Sequence, residues 1–188
     1  MKRRALLLLA ALLAFPFASS AQEATPTPAP INPMVYDDPG MHFQAPAGYR
    51  PVGQRRIALD DLGSGPQVVA AWISPGDRPN RLLVQIEAYG GDLEQYETSY
   101  TQTLRESYGD ALVKNKERMA LKNGMPAMFM EGSFGSGFDT TKLYMVIWID
   151  GARGCALTIV APLGALDTAT AKHLLSDVSA VRYPLGRG

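Results

Sequence analysis

The chain has 188 residues, with 18 Lys+Arg against 18 Asp+Glu, two histidines and one cysteine. Without Lys2, Arg3 and Arg4, which lie in a segment expected to be removed, the count is 15 basic against 18 acidic residues, about −3. That balance gives no general attraction to nucleic acid or anionic lipid, a lone cysteine excludes an internal disulfide and a Cys-rich zinc site, and 46% hydrophobic content excludes a wholly disordered chain.

Residues 1–4 form a basic start, and residues 5–17 an apolar run with four consecutive leucines. The run is shorter than the ~20 residues that span a bilayer. Ser19-Ser20-Ala21 sets small residues where a signal peptidase reads, so residues 1–21 are expected to be a signal peptide cleaved after Ala21. The expected destination is the periplasm in a Gram-negative host, or secretion otherwise, with no integral membrane segment left after cleavage. Residues 22–33 interleave Pro26, Pro28, Pro30 and Pro33 with Thr and Ala, which favours an extended tether with little to bury. Residues 34–188 are expected to be one domain.

Within that domain, residues 41–44 read as a strand before the turn-rich Ala45-Pro46-Ala47-Gly48. Residues 54–59 read as another, and residues 67–74 as a clearer one between Pro66 and Pro75-Gly76. In residues 81–88, Leu82, Val84, Ile86 and Ala88 alternate with Gln85 and Glu87, the period of a half-buried strand. Residues 92–108 predict an amphipathic helix. Asp92 and Gln95 fit a capping box, Leu93, Tyr96, Tyr100, Leu104 and Tyr108 form the stripe, and Gly109 stops it.

Asn123-Gly124 between residues 116–122 and 125–131 is a hairpin signal. A two-residue turn there sets Met119 opposite Met128 and gathers Met119, Met128 and Met130 on one face. Residues 144–149 and 155–160 are near-continuous apolar strands joined through Asp150-Gly151, which implies cover on both faces. Asp167 is expected to cap a second helix carrying Leu174, Leu175 and Val178, and residues 181–183 to add a last strand. The expected class is α+β: a mainly antiparallel sheet with helices on both faces, in three layers α/β/α.

Several local features resemble the PsbP-like superfamily. They are Phe43 through Pro46-Ala47-Gly48-Tyr49, the strand and helix around residues 92–108, Asn123-Gly124-Met125-Pro126-Ala127, and a final helix running into Val178-Ser179-Ala180-Val181-Arg182. The resemblance covers most of the domain and leaves out the tether. It implies a non-enzymatic accessory or binding protein, and it implies no catalytic or binding residue at any position.

The residues themselves point the same way. The chain lacks a G-x-S-x-G elbow, a phosphate loop and the G-x-G-x-x-G fingerprint, and Gly132-Ser133-Phe134-Gly135-Ser136-Gly137 has the wrong spacing for the first. His42 reads as edge-strand decoration, His173 as a helix-surface residue, and Cys155 as a buried thiol serving as a small hydrophobe. Asp37-Asp38 and Asp60-Asp61 are neighbours in sequence, which points paired side chains apart and suits turns and caps. No catalytic residue, metal ligand or cofactor is therefore expected. The compositional oddity is methionine, an adaptable contact residue. The expected function is an exported, non-catalytic adaptor that binds a protein or peptide in the cell envelope, with candidate contacts Met119, Met128, Met130, Phe134 and Phe138. The alternative is a periplasmic carrier of a small apolar ligand or of Cu(I), which thioethers suit, using the methionine-rich hairpin and His42.

Overall fold

The computed structural model describes residues 32–38, 41–109 and 111–180. The expected signal peptide, residues 22–31 of the expected tether and the expected strand at 181–183 lie outside the described residues.

The main sheet contains β3 (Arg50–Gln54), β4 (Gln67–Ile73), β5 (Arg81–Ala88), β6 (Leu112–Ala120), β7 (Pro126–Phe134), β8 (Thr141–Asp150) and β9 (Arg153–Pro162). Their order is β3-β4-β5-β9-β8-β7-β6, and every pairing is antiparallel. A smaller sheet pairs β1 (Val35–Asp38) and β10 (Ser179–Ala180) on either side of β2 (Met41–Gln44). The helices are α1 (Leu93–Tyr108) and α2 (Thr168–Ser176). The fold is thus α+β, with a mainly antiparallel sheet and two helices.

The connections explain the order. Loops and turns without a crossover join β3-β4-β5 and β6-β7-β8-β9 into two antiparallel meanders. Helix α1 carries the chain from β5 to the far edge at β6, and the second meander returns until β9 pairs with β5. Alternate residues of the same strands enter two different buried clusters. Tyr144, Val146 and Trp148 of β8 join Cys155, Leu157 and Ile159 of β9, together with Ala171 and Leu175 of α2 and Tyr36, Met41 and Phe43 of the small sheet. Leu143, Met145 and Ile147 of β8 join Met128 and Met130 of β7, together with Tyr96, Tyr100 and Leu104 of α1. The doubly apolar runs in β8 and β9 are therefore buried on both sides, as their composition requires.

Helix α1 begins as its sequence dictates. Asp92 Oδ1 accepts from the Gln95 backbone N–H at 2.8 Å, and the Asp92 N–H donates to Gln95 Oε1 at 3.3 Å. Asp167 caps α2 in the same way, accepting from the Thr170 N–H at 2.9 Å.

Three differences from the sequence reading bear on where side chains are placed. The strand expected at 54–59 is instead Arg50–Gln54, followed by a 3-10 turn at Leu59–Asp61. Pro51 is tolerated there because β3 is an edge strand with an irregular step between Pro51 and Gly53. Strand β1 was not expected. It starts beside Pro33, whose carbonyl accepts from the Trp72 indole at 2.8 Å and from Gln54 Nε2 at 3.2 Å, so the end of the expected tether is part of the fold.

The third difference is the hairpin register. Leu121 N–H donates to Met125 O at 2.9 Å, so the loop is Lys122-Asn123-Gly124, three residues rather than two. Gly124 takes φ 80° while no non-glycine residue among those described has positive φ, which suits a three-residue loop and not a type I′ Asn-Gly turn. The register therefore sets Met119 opposite Ala127 and Arg118 opposite Met128. One extra loop residue sends Met119 to the other side of the sheet from Met128.

Candidate functional site

The methionine face does not exist as a surface. Met130 is 0% exposed and Met128 is 8% exposed, both packed in the cluster beneath α1. Met119 packs against the opposite cluster. The sequence reading gathered these residues on one face as candidate contacts; β8 on one side and α1 above bury β7 instead.

Phe134 and Phe138 fare differently. Phe138 is 99% exposed in a 3-10 turn, Gly137–Asp139, between β7 and β8. Phe134, the last residue of β7, stacks on Tyr108 at the end of α1, with ring centroids 4.4 Å apart and planes at 16°. Leu112 at the start of β6 and Leu163 just after β9 are also exposed. The register brings these to one end of the sheet: Leu112 pairs with Ser133, Phe134 pairs with Thr141, and Leu163 N–H donates to Thr140 O at 3.0 Å. The loop is shaped by Gly135 (φ 79°), where a Cβ would lie 2.8 Å from Asp139 O. Tyr108 and Leu112 joined this group only through the fold, since one was read as a buried helix position.

Beside this end lies a cavity of about 100 Å³ between α1 and strands β5, β8 and β9. Its walls include Leu83, Leu104, Tyr108, Leu143 and Val160. Its floor holds three polar side chains. Gln85 Oε1 accepts from Tyr100 Oη at 2.8 Å and from Thr158 Oγ1 at 3.0 Å. Burial raises the Tyr100 phenol above its ordinary range, so it stays a neutral donor.

The remaining candidates are dispersed. His42 lies exposed on β2 with Nδ1 3.6 Å from Asp37 Oδ1, and His173 is exposed on α2. Cys155 sits fully buried between Ile86 and Trp148 on the neighbouring strands, and burial pushes its thiol well above the ordinary range. Asp38 faces inward, accepting from Tyr36 Oη at 3.0 Å and from Arg153, while its neighbour Asp37 faces out. Asp60 and Asp61 are exposed in the 3-10 turn. Among the described residues, no three His, Cys, Asp or Glu side chains come together in a metal-holding group. Among them, too, no helix is long and apolar enough to cross a membrane.

No family model matches the chain, and no curated protein sequence does. Solved structures do match. The solution structure of cyanobacterial PsbP (CyanoP) from Synechocystis sp. PCC 6803 superposes with a TM-score of 0.59 at 15% identity, covering 85% of this chain and 99% of that one. LpqN, involved in cell envelope biogenesis of Mycobacterium tuberculosis, aligns with a TM-score of 0.46 at 14% identity, over 77% of this chain and 86% of that one. The PsbP-like resemblance read from turns and element order is present in the three-dimensional fold.

Proposed function

We propose that this protein is an exported, non-catalytic accessory protein that binds a protein or peptide partner in the cell envelope through the aromatic end of its sheet. The observation that carries this reading is Phe138, 99% exposed and set beside the Tyr108–Phe134 stack with Leu112 and Leu163 exposed nearby. A phenylalanine held out on a short turn costs solvation in the free protein, and grouped apolar side chains of this kind characterise contact surfaces. The reading takes the main sheet as the middle of three layers, a rigid support for the loop end that makes the contact.

The test is a photo-crosslinking residue at position 138, used in the native envelope, beside a Phe138→Asp variant of unchanged fold. A discrete crosslinked species that Phe138→Asp loses supports the reading. Identical capture by wild type and Phe138→Asp overturns it.

Carriage of a small ligand is the second reading, and the cavity beneath α1 favours it. Cu(I) gains no support from the methionines, because Met119 is parted from Met128 and Met130 by the sheet and His42 lies on the small sheet.

A further inference from the structure

An α-helix is about 10 Å across, and strands are spaced by about 4.8 Å, so a helix laid on a sheet covers about two strands. Helix α1 packs over β7 and β8. The same face of β3, β4 and β5 is left partly open: Ala71, Ile73 and Leu83 are half-buried and Val68 is exposed. The strand register defines a row along this face, from Arg50 through Ile73, Arg81 and Val160 to Leu143. The last two line the cavity, as does Leu83, which lies two residues along β5 from Arg81. The row thus runs from the cavity to two arginines flanking an isoleucine.

Arg50 and Arg81 are exposed, and among the described residues neither side chain has a hydrogen bond or ion pair. They stand two strands apart, about 10 Å at the backbone, within reach of one anion held over Ile73. At about 100 Å³ the cavity is too small for a drug-sized molecule and of a size for a short aliphatic group. At its floor, Gln85 spends its oxygen on Tyr100 and Thr158, and its amide nitrogen has no hydrogen bond among the described residues.

We propose that this groove binds a short aliphatic body that carries a carboxylate, the aliphatic part lodged between Leu83, Leu104 and Val160 and the carboxylate held at the rim by Arg81 and Arg50. A planar carboxylate matches the guanidinium fork, and at a solvent-exposed rim its charge stays hydrated. The ligand is either a free short-chain acid or the C-terminal apolar residue of a polypeptide, which share this chemistry. The proposal rests on the carrier reading and adds the ligand's charged end.

The test is an NMR titration that follows the Gln85 side-chain amide. The probes are 4-methylpentanoate, the uncharged 4-methylpentanol, and a pentapeptide ending in leucine with a free carboxylate. The acid is expected to shift the Gln85 amide and to bind about tenfold more tightly than the alcohol. An Arg50→Gln/Arg81→Gln double variant should erase that preference while keeping the weaker binding. Leu83→Phe, which fills the cavity, should remove binding of both. Tighter binding of the peptide than of the acid identifies a polypeptide C-terminus as the source, and equal binding identifies the free acid. If alcohol and acid bind equally, the carboxylate assignment is overturned and the carrier reading stands. If no probe shifts the Gln85 amide, both fall.

Discussion

At the scale of single residues, burial decides what each candidate does. Met130 is 0% exposed among Leu143, Met145 and Ile147, so Met130→Asp would bury an unpaired charge and cost more than about 4 kcal/mol. Met130→Leu conserves volume and should cost under about 1.5 kcal/mol. Phe138→Asp touches only solvent and should leave the urea midpoint unchanged. Urea unfolding followed by tryptophan emission reads all three, since Trp72 and Trp148 are fully buried.

Two glutamates give opposite pH signatures. Burial pushes the Glu131 carboxyl up, but hydrogen bonds from Lys142 (2.9 Å), Asn115 (3.0 Å) and Thr168 (3.2 Å), with the Lys142 charge, outweigh it and hold the group below its ordinary 4.5. A carboxylate depressed in the folded state stabilises above its unfolded pKa, and that contribution is lost as pH falls through the folded value. Glu87 is raised, because burial opposes its charge more than the Tyr96 hydrogen bond favours it. Its contribution is complete below pH 4.5 and is lost as pH rises through the folded value. Glu131→Gln should therefore weaken the acid-side loss of stability, and Glu87→Gln should weaken the loss on going from pH 4 toward neutrality. Urea midpoints measured from pH 3 to 7 check both; an unchanged pH profile in either variant contradicts its assignment.

At the scale of elements, capping and periodicity were legible because they are local. The Asp92–Gln95 box, the Tyr96/Tyr100/Leu104 stripe and the Asp167 cap all appear where the residue pattern sets them. Asp92→Ala should cost about 1 kcal/mol, and Asp92→Asn, which keeps an acceptor, only a few tenths, both read as shifts in the urea midpoint. The hairpin was legible as a hairpin and misread in register. Asn-Gly specifies a turn, but whether two or three residues close it depends on where β7 must place Phe129 and Met130 against both clusters. That constraint comes from β8, α1 and α2 and has no local mark. The same holds for the candidate site. Phe134 and Phe138 were legible as an aromatic, glycine-rich loop, whereas Tyr108, Leu112 and the Arg50/Arg81 row are assembled from elements distant in sequence.

At the scale of the whole molecule, a long-range side-chain cluster joins β1 to the β8–β9 hairpin. Arg153 Nη1 donates to both oxygens of Asp38, at 3.2 and 3.1 Å, across 115 positions of sequence, and Nη2 donates to Asp150 at 2.5 Å. The side chains are 12% exposed for Arg153 and 4% for Asp38, so water screens this pair little. Its net gain over an apolar cluster is small, because desolvation offsets most of the attraction. Its loss is costly in one direction only. Arg153→Ala leaves Asp38 and Asp150 close together with the cation gone, at about 3 kcal/mol. The cost falls on the small sheet, which β1, among the described residues, joins by pairing with β2. Hydrogen exchange should therefore quicken in residues 35–38 and 41–44 in Arg153→Ala before it does in β8. Adding Asp38→Asn to Arg153→Ala should recover part of the loss, because it removes a charge that no longer has the guanidinium beside it. If exchange rises evenly through both sheets, or the double variant is no more stable than Arg153→Ala, the cluster does not clamp the small sheet onto the main one.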